Sequence, residues 1–130
     1  MAADVANATG GALVGQNAHL SGASFDSRTI TPGQLFIPIV AERDGHEFIE
    51  GAVKSGAGAY LTQRDPVGRT AIVVEDTLSA LLKLGVWARA RLESAVDGRV
   101  IGITGSVGKT STPLLPLVER GLYLQYCFYP

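Results

Sequence analysis

At 130 residues, 46% of them hydrophobic and 18% charged, the chain is long enough to bury a core and too apolar for disorder to be the starting expectation. Eleven basic against twelve acidic residues leave a net charge of −1, which provides no broad basic surface for nucleic acid, so an anionic ligand needs a local site. The lone cysteine, Cys127, excludes an intrachain disulfide and a cysteine metal cluster, and Met1 to Gly15 lacks the basic start and apolar run of a signal peptide; with no stretch of membrane-spanning length, a cytoplasmic location is expected.

In chain order, Val5 to Gly11 reads as a short helix stopped by a glycine pair, followed by a strand at Ala12–Val14. Ser24–Ser27 and Leu35–Ile39 are two extended segments, predicted to be neighbouring strands. Thr31-Pro32-Gly33-Gln34 turns between them, with proline presetting the turn and glycine supplying a positive φ. Phe48, Ile49, Ala52 and Val53 share one helical face, Gly56 stops that helix, and Ala59–Leu61 resumes as a strand. Ala71–Val74 is a further strand. Asp76 can cap the helix after it, whose predicted apolar stripe is Leu78, Leu81, Leu82, Gly85, Ala88 and Leu92, with Trp87 at the core edge. Val100–Ile103 is a buried-strand pattern. The alternation of helices and short strands predicts an α/β fold.

The strongest chemical signal follows that last strand directly: Thr104-Gly105-Ser106-Val107-Gly108-Lys109-Thr110-Ser111, the place and composition of a phosphate loop. Its glycines let backbone N–H groups turn inward around phosphate oxygens. Lys109 brings a positive charge to the β/γ-phosphates of ATP and is the expected catalytic residue, and the Thr110 hydroxyl is placed to ligate Mg²⁺. Ile103 stands where the strict pattern has its first glycine, so the loop is a variant. The alternative is a glycine-rich connection carrying an exposed lysine.

Asp26-Ser27-Arg28, the run Pro32-Gly33-Gln34-Leu35-Phe36, the segment Asp44-Gly45-His46-Glu47-Phe48-Ile49 with Ala52 and Gly56-Ala57, and the loop at 104–110, in this order, resemble the Mur ligases, the ATP-dependent amide-forming enzymes of peptidoglycan synthesis. The resemblance covers about residues 5–112. It implies an N-terminal UDP-muramoyl-peptide-binding domain with a mixed sheet at residues 1–98, then the first strand and phosphate loop of a P-loop ATPase domain at 99–112. Within the family, Ala8 to Gly11 with Leu13 to Gly15, and Ser106, look most like the branch that joins D-alanyl-D-alanine to a UDP-N-acetylmuramoyl-tripeptide. The sibling branch that adds the third amino acid to the peptide is the runner-up.

The same resemblance assigns the UDP moiety to Ser27, Arg28, Arg43, Asp44 and His46. For Ser27 and Arg28 the alternative is an ordinary strand-end turn, and for Asp44 and His46 it is capping of the next helix. His19 and His46 have no second ligand set near them in sequence, so a histidine metal site is not expected. ATP and Mg²⁺ are the implied cofactors, the UDP-muramoyl peptide and D-alanyl-D-alanine the small-molecule partners, and a monomer without nucleic-acid or membrane partners the implied state.

Past Thr112 the pattern breaks. Pro113 and Pro116 interrupt what in the family is a helix, and four of the nine aromatic residues fall in Tyr123–Tyr129. Residues 113–130 are expected to be an atypical, poorly packed tail. The expected whole is a ligase fragment that recognises UDP substrate but is inactive alone. A non-catalytic capture module would use the same first hundred residues, whereas an unrelated phosphate-loop kinase would carry its loop near the chain start.

Overall fold

The computed structural model describes residues 1–40 and 44–95, together with the backbone of two later strands, Val100–Ile103 and Tyr123–Tyr126. The chain divides into two compact units, Met1–Val86 and Trp87–Pro130.

The first unit is a five-stranded mixed sheet. Its strands are β1 (Ala12–Val14), β2 (Ala23–Ser24), β3 (Leu35–Phe36), β4 (Ala59–Thr62) and β5 (Ala71–Val73), arranged in the order β1-β5-β4-β3-β2. Only β1 runs antiparallel, pairing Leu13 with Ile72; the other pairings are parallel, with Phe36 beside Tyr60 and Leu61 beside Ile72. A parallel sheet covered on both faces needs apolar side chains in both directions, and the alternation delivers them. Leu35, Ile37, Ala59, Leu61 and Ile72 point to one face. There they bury against Val5 and Ala6 of α1 (Ala2–Thr9) and Ala80 of α3 (Thr77–Ala95). Phe36, Tyr60 and Ala71 point to the other face, against Ala52 of α2 (Ile49–Lys54), with Ile30 and Ala57 completing that smaller core.

The predicted punctuation holds at its main points. Gly10 ends α1 in the left-handed region at φ 73°, a conformation that costs a side chain with a Cβ far more than it costs glycine. Gly33 takes φ 82° in the turn at 31–34, where the Gln34 amide oxygen accepts from the Thr31 N–H at 3.0 Å. Asp76 caps α3 through a 2.7 Å bond from the Ser79 N–H to Oδ2.

Four details lie outside the sequence expectations. Helix α1 begins at Ala2, before Val5. The extended segment Ser24–Ser27 contributes ladder residues only at Ala23–Ser24, because the Asp26 side chain captures the Arg28 N–H and turns the chain. The stripe on α3 is rotated: Thr77, Ala80, Leu81 and Leu84 face the sheet, while Leu78 and Leu82 are exposed. With this face inward, the Lys83 ammonium reaches the Thr9 carbonyl oxygen at 3.3 Å, at the open end of α1. Finally, β4 and β5 are parallel neighbours joined by residues 63–70 with no helix between them, although such strands ordinarily need a crossover of about a dozen residues or more. The buried Tyr60 hydroxyl pins this short link, donating to the Val67 carbonyl at 3.0 Å and accepting from the Val67 N–H at 2.7 Å.

In the second unit, Trp87 is half-buried and the Arg91 guanidinium lies 4.9 Å from its ring centroid, one helical turn on. Strand β6 (Val100–Ile103), where the sequence predicts one, pairs in parallel with β7 (Tyr123–Tyr126). The backbone of Tyr123–Tyr126, within the expected tail, is thus part of a ladder. An unpaired β6 would leave its row of N–H and C=O groups without partners, and Tyr-Leu-Gln-Tyr is rich in strand-forming residues.

Candidate functional site

Two turns with the same local chemistry build the site. In the first, at the end of β2, Asp26 Oδ1 accepts the Arg28 backbone N–H at 3.0 Å and its Nε–H at 2.9 Å, while Oδ2 accepts from Nη2 at 2.7 Å. The Ser24 hydroxyl accepts the Asp26 N–H at 3.1 Å and steadies the turn from behind. The carboxylate therefore holds the flat guanidinium in a forked grip. The side-chain bond from Arg28, then the backbone bond from the same residue, lower the Asp26 carboxyl to about 2, and the Arg28 guanidinium is raised in return by its bond to Asp26. Arg28 remains 86% exposed, and of the five N–H donors of an arginine Asp26 occupies only two.

Arg28 and Ser27 line a cleft of about 490 Å³ with Phe25, Asp26 and Phe48. Phe25 is 72% exposed and Phe48 41% exposed, so two aromatic rings stand at a surface cleft that also carries a cation. The sequence reading missed both rings. It placed Phe25 in a strand and Phe48 on the buried face of α2, although that face is complete with Ile49, Ala52 and Val53. The available signal was an aromatic residue directly preceding Asp26-Ser27-Arg28.

The second turn leads to Phe48. Asp44 starts the 3-10 turn Gly45–Phe48, its Oδ1 accepting the His46 backbone N–H at 3.0 Å and lying 2.7 Å from His46 Nδ1. His46 Nε2 accepts the Gln63 backbone N–H at 3.2 Å. A backbone amide can only donate, so Nε2 presents its lone pair and Nδ1 carries the proton toward Asp44. Asp44 Oδ2 is paired with Arg64 Nη2. The backbone bond from His46, then its side-chain bond, hold the Asp44 carboxyl below the usual carboxylate range. The His46 side chain is 3% exposed and both ring nitrogens are engaged, so it bridges the turn to the end of β4 and does not face the cleft.

Of the residues predicted for the UDP moiety, Ser27 and Arg28 thus share a cleft, while Asp44 and His46 form the framework behind its Phe48 wall. Arg43 lies outside the described residues, as do the phosphate loop Thr104 to Ser111, with Lys109 and Thr110, and the expected domain boundary at 98/99. Among the described residues no group of three or more His, Cys, Asp or Glu side chains is arranged to hold a metal ion, and no helix is long and apolar enough to cross a membrane.

No protein-family model matches the chain. Individual relatives do. Over 98 residues it is 44% identical to the UDP-N-acetylmuramoyl-tripeptide--D-alanyl-D-alanine ligase of Bacillus subtilis (strain 168), matching 72% of this chain and 21% of that protein. The chain belongs to the Mur ligase family, over its N-terminal part. It is also 41% identical, over 68% of its length, to 18% of the UDP-N-acetylmuramoyl-L-alanyl-D-glutamate--2,6-diaminopimelate ligase of Alkaliphilus metalliredigens (strain QYMF). The crystal structure of MurF from Acinetobacter baumannii superposes with a TM-score of 0.75 at 29% identity, covering 92% of this chain and 27% of that one. MurF from Thermotoga maritima in complex with ADP gives a TM-score of 0.54 at 32% identity, over 75% of this chain and 23% of that one. The mixed sheet is therefore that of a Mur ligase N-terminal domain, and the chain spans about a fifth of the length of the curated relatives it matches.

Proposed function

We propose that this chain is the UDP-muramoyl-peptide-binding part of an ATP-dependent ligase that adds D-alanyl-D-alanine to UDP-N-acetylmuramoyl-tripeptide in peptidoglycan synthesis. The observation that carries the reading is the cleft in which Ser27 and Arg28 meet Phe25 and Phe48. Its chemistry suits a uridine diphosphate: exposed rings offer faces to a flat base, and the guanidinium donors left over from Asp26 suit diphosphate or uracil oxygens. Arg43, Asp44 and His46 complete the substrate segment, with Asp44 and His46 holding its geometry.

ATP and Mg²⁺ belong to Thr104 to Ser111, and the strand at Val100–Ile103 directly before that loop supports the assignment. ATP supplies the phosphoryl group that makes a peptide carboxylate electrophilic. Lys109 is the residue that would stabilise charge on the transferring phosphoryl oxygens, and Thr110 the one that would hold the metal. Residues 1–98 form the substrate domain, 99–112 open the ATP domain and 113–130 form an atypical tail; limited proteolysis that ended the stable core well before Leu92 would contradict this boundary. The protein acts in the cytoplasm as a monomer. Within this reading the first hundred residues supply capture of the UDP substrate, and phosphoryl transfer falls to the loop at 104–111.

A second reading, a ligase adding the third amino acid, has the similarity to the 2,6-diaminopimelate ligase in its favour. Calorimetric titration tests both. Tighter binding of UDP-muramoyl-tripeptide than of the dipeptide form supports the first reading, and the reverse order the second. Binding that is unchanged in Arg28→Ala would remove the cleft from either. A fluorescent ATP analogue that fails to bind leaves a capture module, and substrate-dependent phosphate release lost in Lys109→Ala would show turnover.

A further inference from the structure

We infer that His46 is a positioning residue for the Phe48 wall and that protonating its Nε2 loosens that wall, so that ligand capture in the cleft weakens on acidification; this rests on the cleft being the UDP-substrate site. The turn at 44–48 joins the sheet through two described side-chain links, both to residues just after β4. The His46 ring meets the Gln63 backbone, and Asp44 meets the Arg64 guanidinium. The first is buried and has one fixed donor; the second is an exposed pair, with Arg64 63% accessible. The start of the turn is also held by its backbone, where the Gly45 N–H donates to the Ile39 carbonyl at 3.1 Å, and Phe48 leads into α2. The side-chain links set how the turn between them sits against the residues after β4.

The neutral ring is a two-way adaptor, donating from Nδ1 and accepting at Nε2. A second proton at Nε2 points at the Gln63 N–H, donor against donor, and that contact must be given up. The contact with Asp44 survives as an ion pair, so the ring leaves with its own turn. Of the two described side-chain links, the exposed Arg64 pair then remains. Among the described residues the charged and titratable groups around the ring are Asp44 and Glu47 on its own turn, Glu50 on α2, Tyr60 on β4, and Arg64 and Asp65 after β4. Of these residue types only an imidazole ordinarily changes charge between about pH 5 and pH 8. The second histidine, His19, is exposed and lines neither this pocket nor the cleft.

The test has two arms on the whole chain. In the first, UDP-N-acetylmuramoyl-tripeptide is titrated calorimetrically at about pH 7.5 and about pH 5.5. Losing one buried hydrogen bond corresponds to an affinity drop of about fivefold, expected in the native chain and in His19→Gln. His46→Gln, whose amide keeps a donor for Asp44 and an acceptor for Gln63, should bind at both pH values with no such drop. In the second arm, without ligand, NMR follows the His46 ring with the Gln63 and Phe48 backbone amides; both amides should shift with the ring's titration and stay still in His46→Gln. Amides that ignore the His46 titration overturn the inference, as does a pH-dependence that persists in His46→Gln. Absence of binding at pH 7.5 instead defeats the assignment of the cleft and leaves the second arm to decide the switch.

Discussion

Asp26-Ser27-Arg28 and Asp44-Gly45-His46 are the same device in two settings: an aspartate whose Oδ1 accepts both the backbone N–H and a side-chain nitrogen of the basic residue two positions on. The first closes at the surface, where the guanidinium keeps donors for a visitor. The second closes inside the protein, where the imidazole spends its remaining nitrogen on Gln63. Identical local geometry therefore yields a binding group in one case and a brace in the other. Burial decides which.

The sharpest way to break this comparison is to delete both basic side chains in turn. His46→Ala should cost about 2–3 kcal/mol of stability by urea unfolding, because the Asp44 oxygen and the Gln63 N–H both lose a partner in a closed setting. Arg28→Ala should lower the urea midpoint far less, because the pair it breaks is exposed. Equal losses in the two variants would mean that burial does not separate their roles. Next in size, Arg28→Lys should weaken UDP-substrate binding about tenfold in calorimetry, since an ammonium cannot keep the forked grip on Asp26 and present planar donors at once. An unchanged affinity would reduce the site to a point charge.

A smaller effect reaches the brace from beneath. Tyr60→Phe removes both bonds to Val67 and should cost about 1 kcal/mol, with faster amide exchange at Gln63 and Val67. Exchange that quickened at Val67 alone would show that the brace does not depend on the link. Smallest is the acid response of the surface turn. The folded Asp26 carboxyl lies at about 2, below its ordinary value near 3.8, so its contribution is complete above about pH 4 and is lost as pH falls toward 2. The urea midpoints of native protein and Asp26→Asn should converge over that range, and the gap above it should shrink with added salt. A gap that stayed constant down to pH 2 would contradict the ion pair.

Much of the fold was readable from residue order. The strands at 12–14, 59–61 and 71–73, the stop at Gly56 and the cap at Asp76 all follow from local chemistry that tertiary contacts did not override. What failed was decided at a distance. Leu78 and Leu82 fit a helical stripe as well as Leu81 and Leu84 do, and which set is buried is decided by how α3 docks on the sheet and on α1, where Lys83 meets Thr9. The link at 63–70 gives no sequence sign that it joins parallel neighbours, because the Tyr60 hydroxyl that fastens it acts across space. At the site, Arg28 was legible as a turn residue and a fork. Phe25 and Phe48 were not, since an aromatic ring beside a cleft has the same letter as one in a core.

The brevity of β2 has a consequence for solubility. It is an outer strand of the sheet, where a row of unpaired backbone groups can template another chain. Asp26 bends the backbone away immediately after Ser24, so the free row is too short to recruit a second copy. The turn assigned to substrate also blunts the edge, and a substitution that straightened it would trade a ligand contact for a tendency to form fibrils.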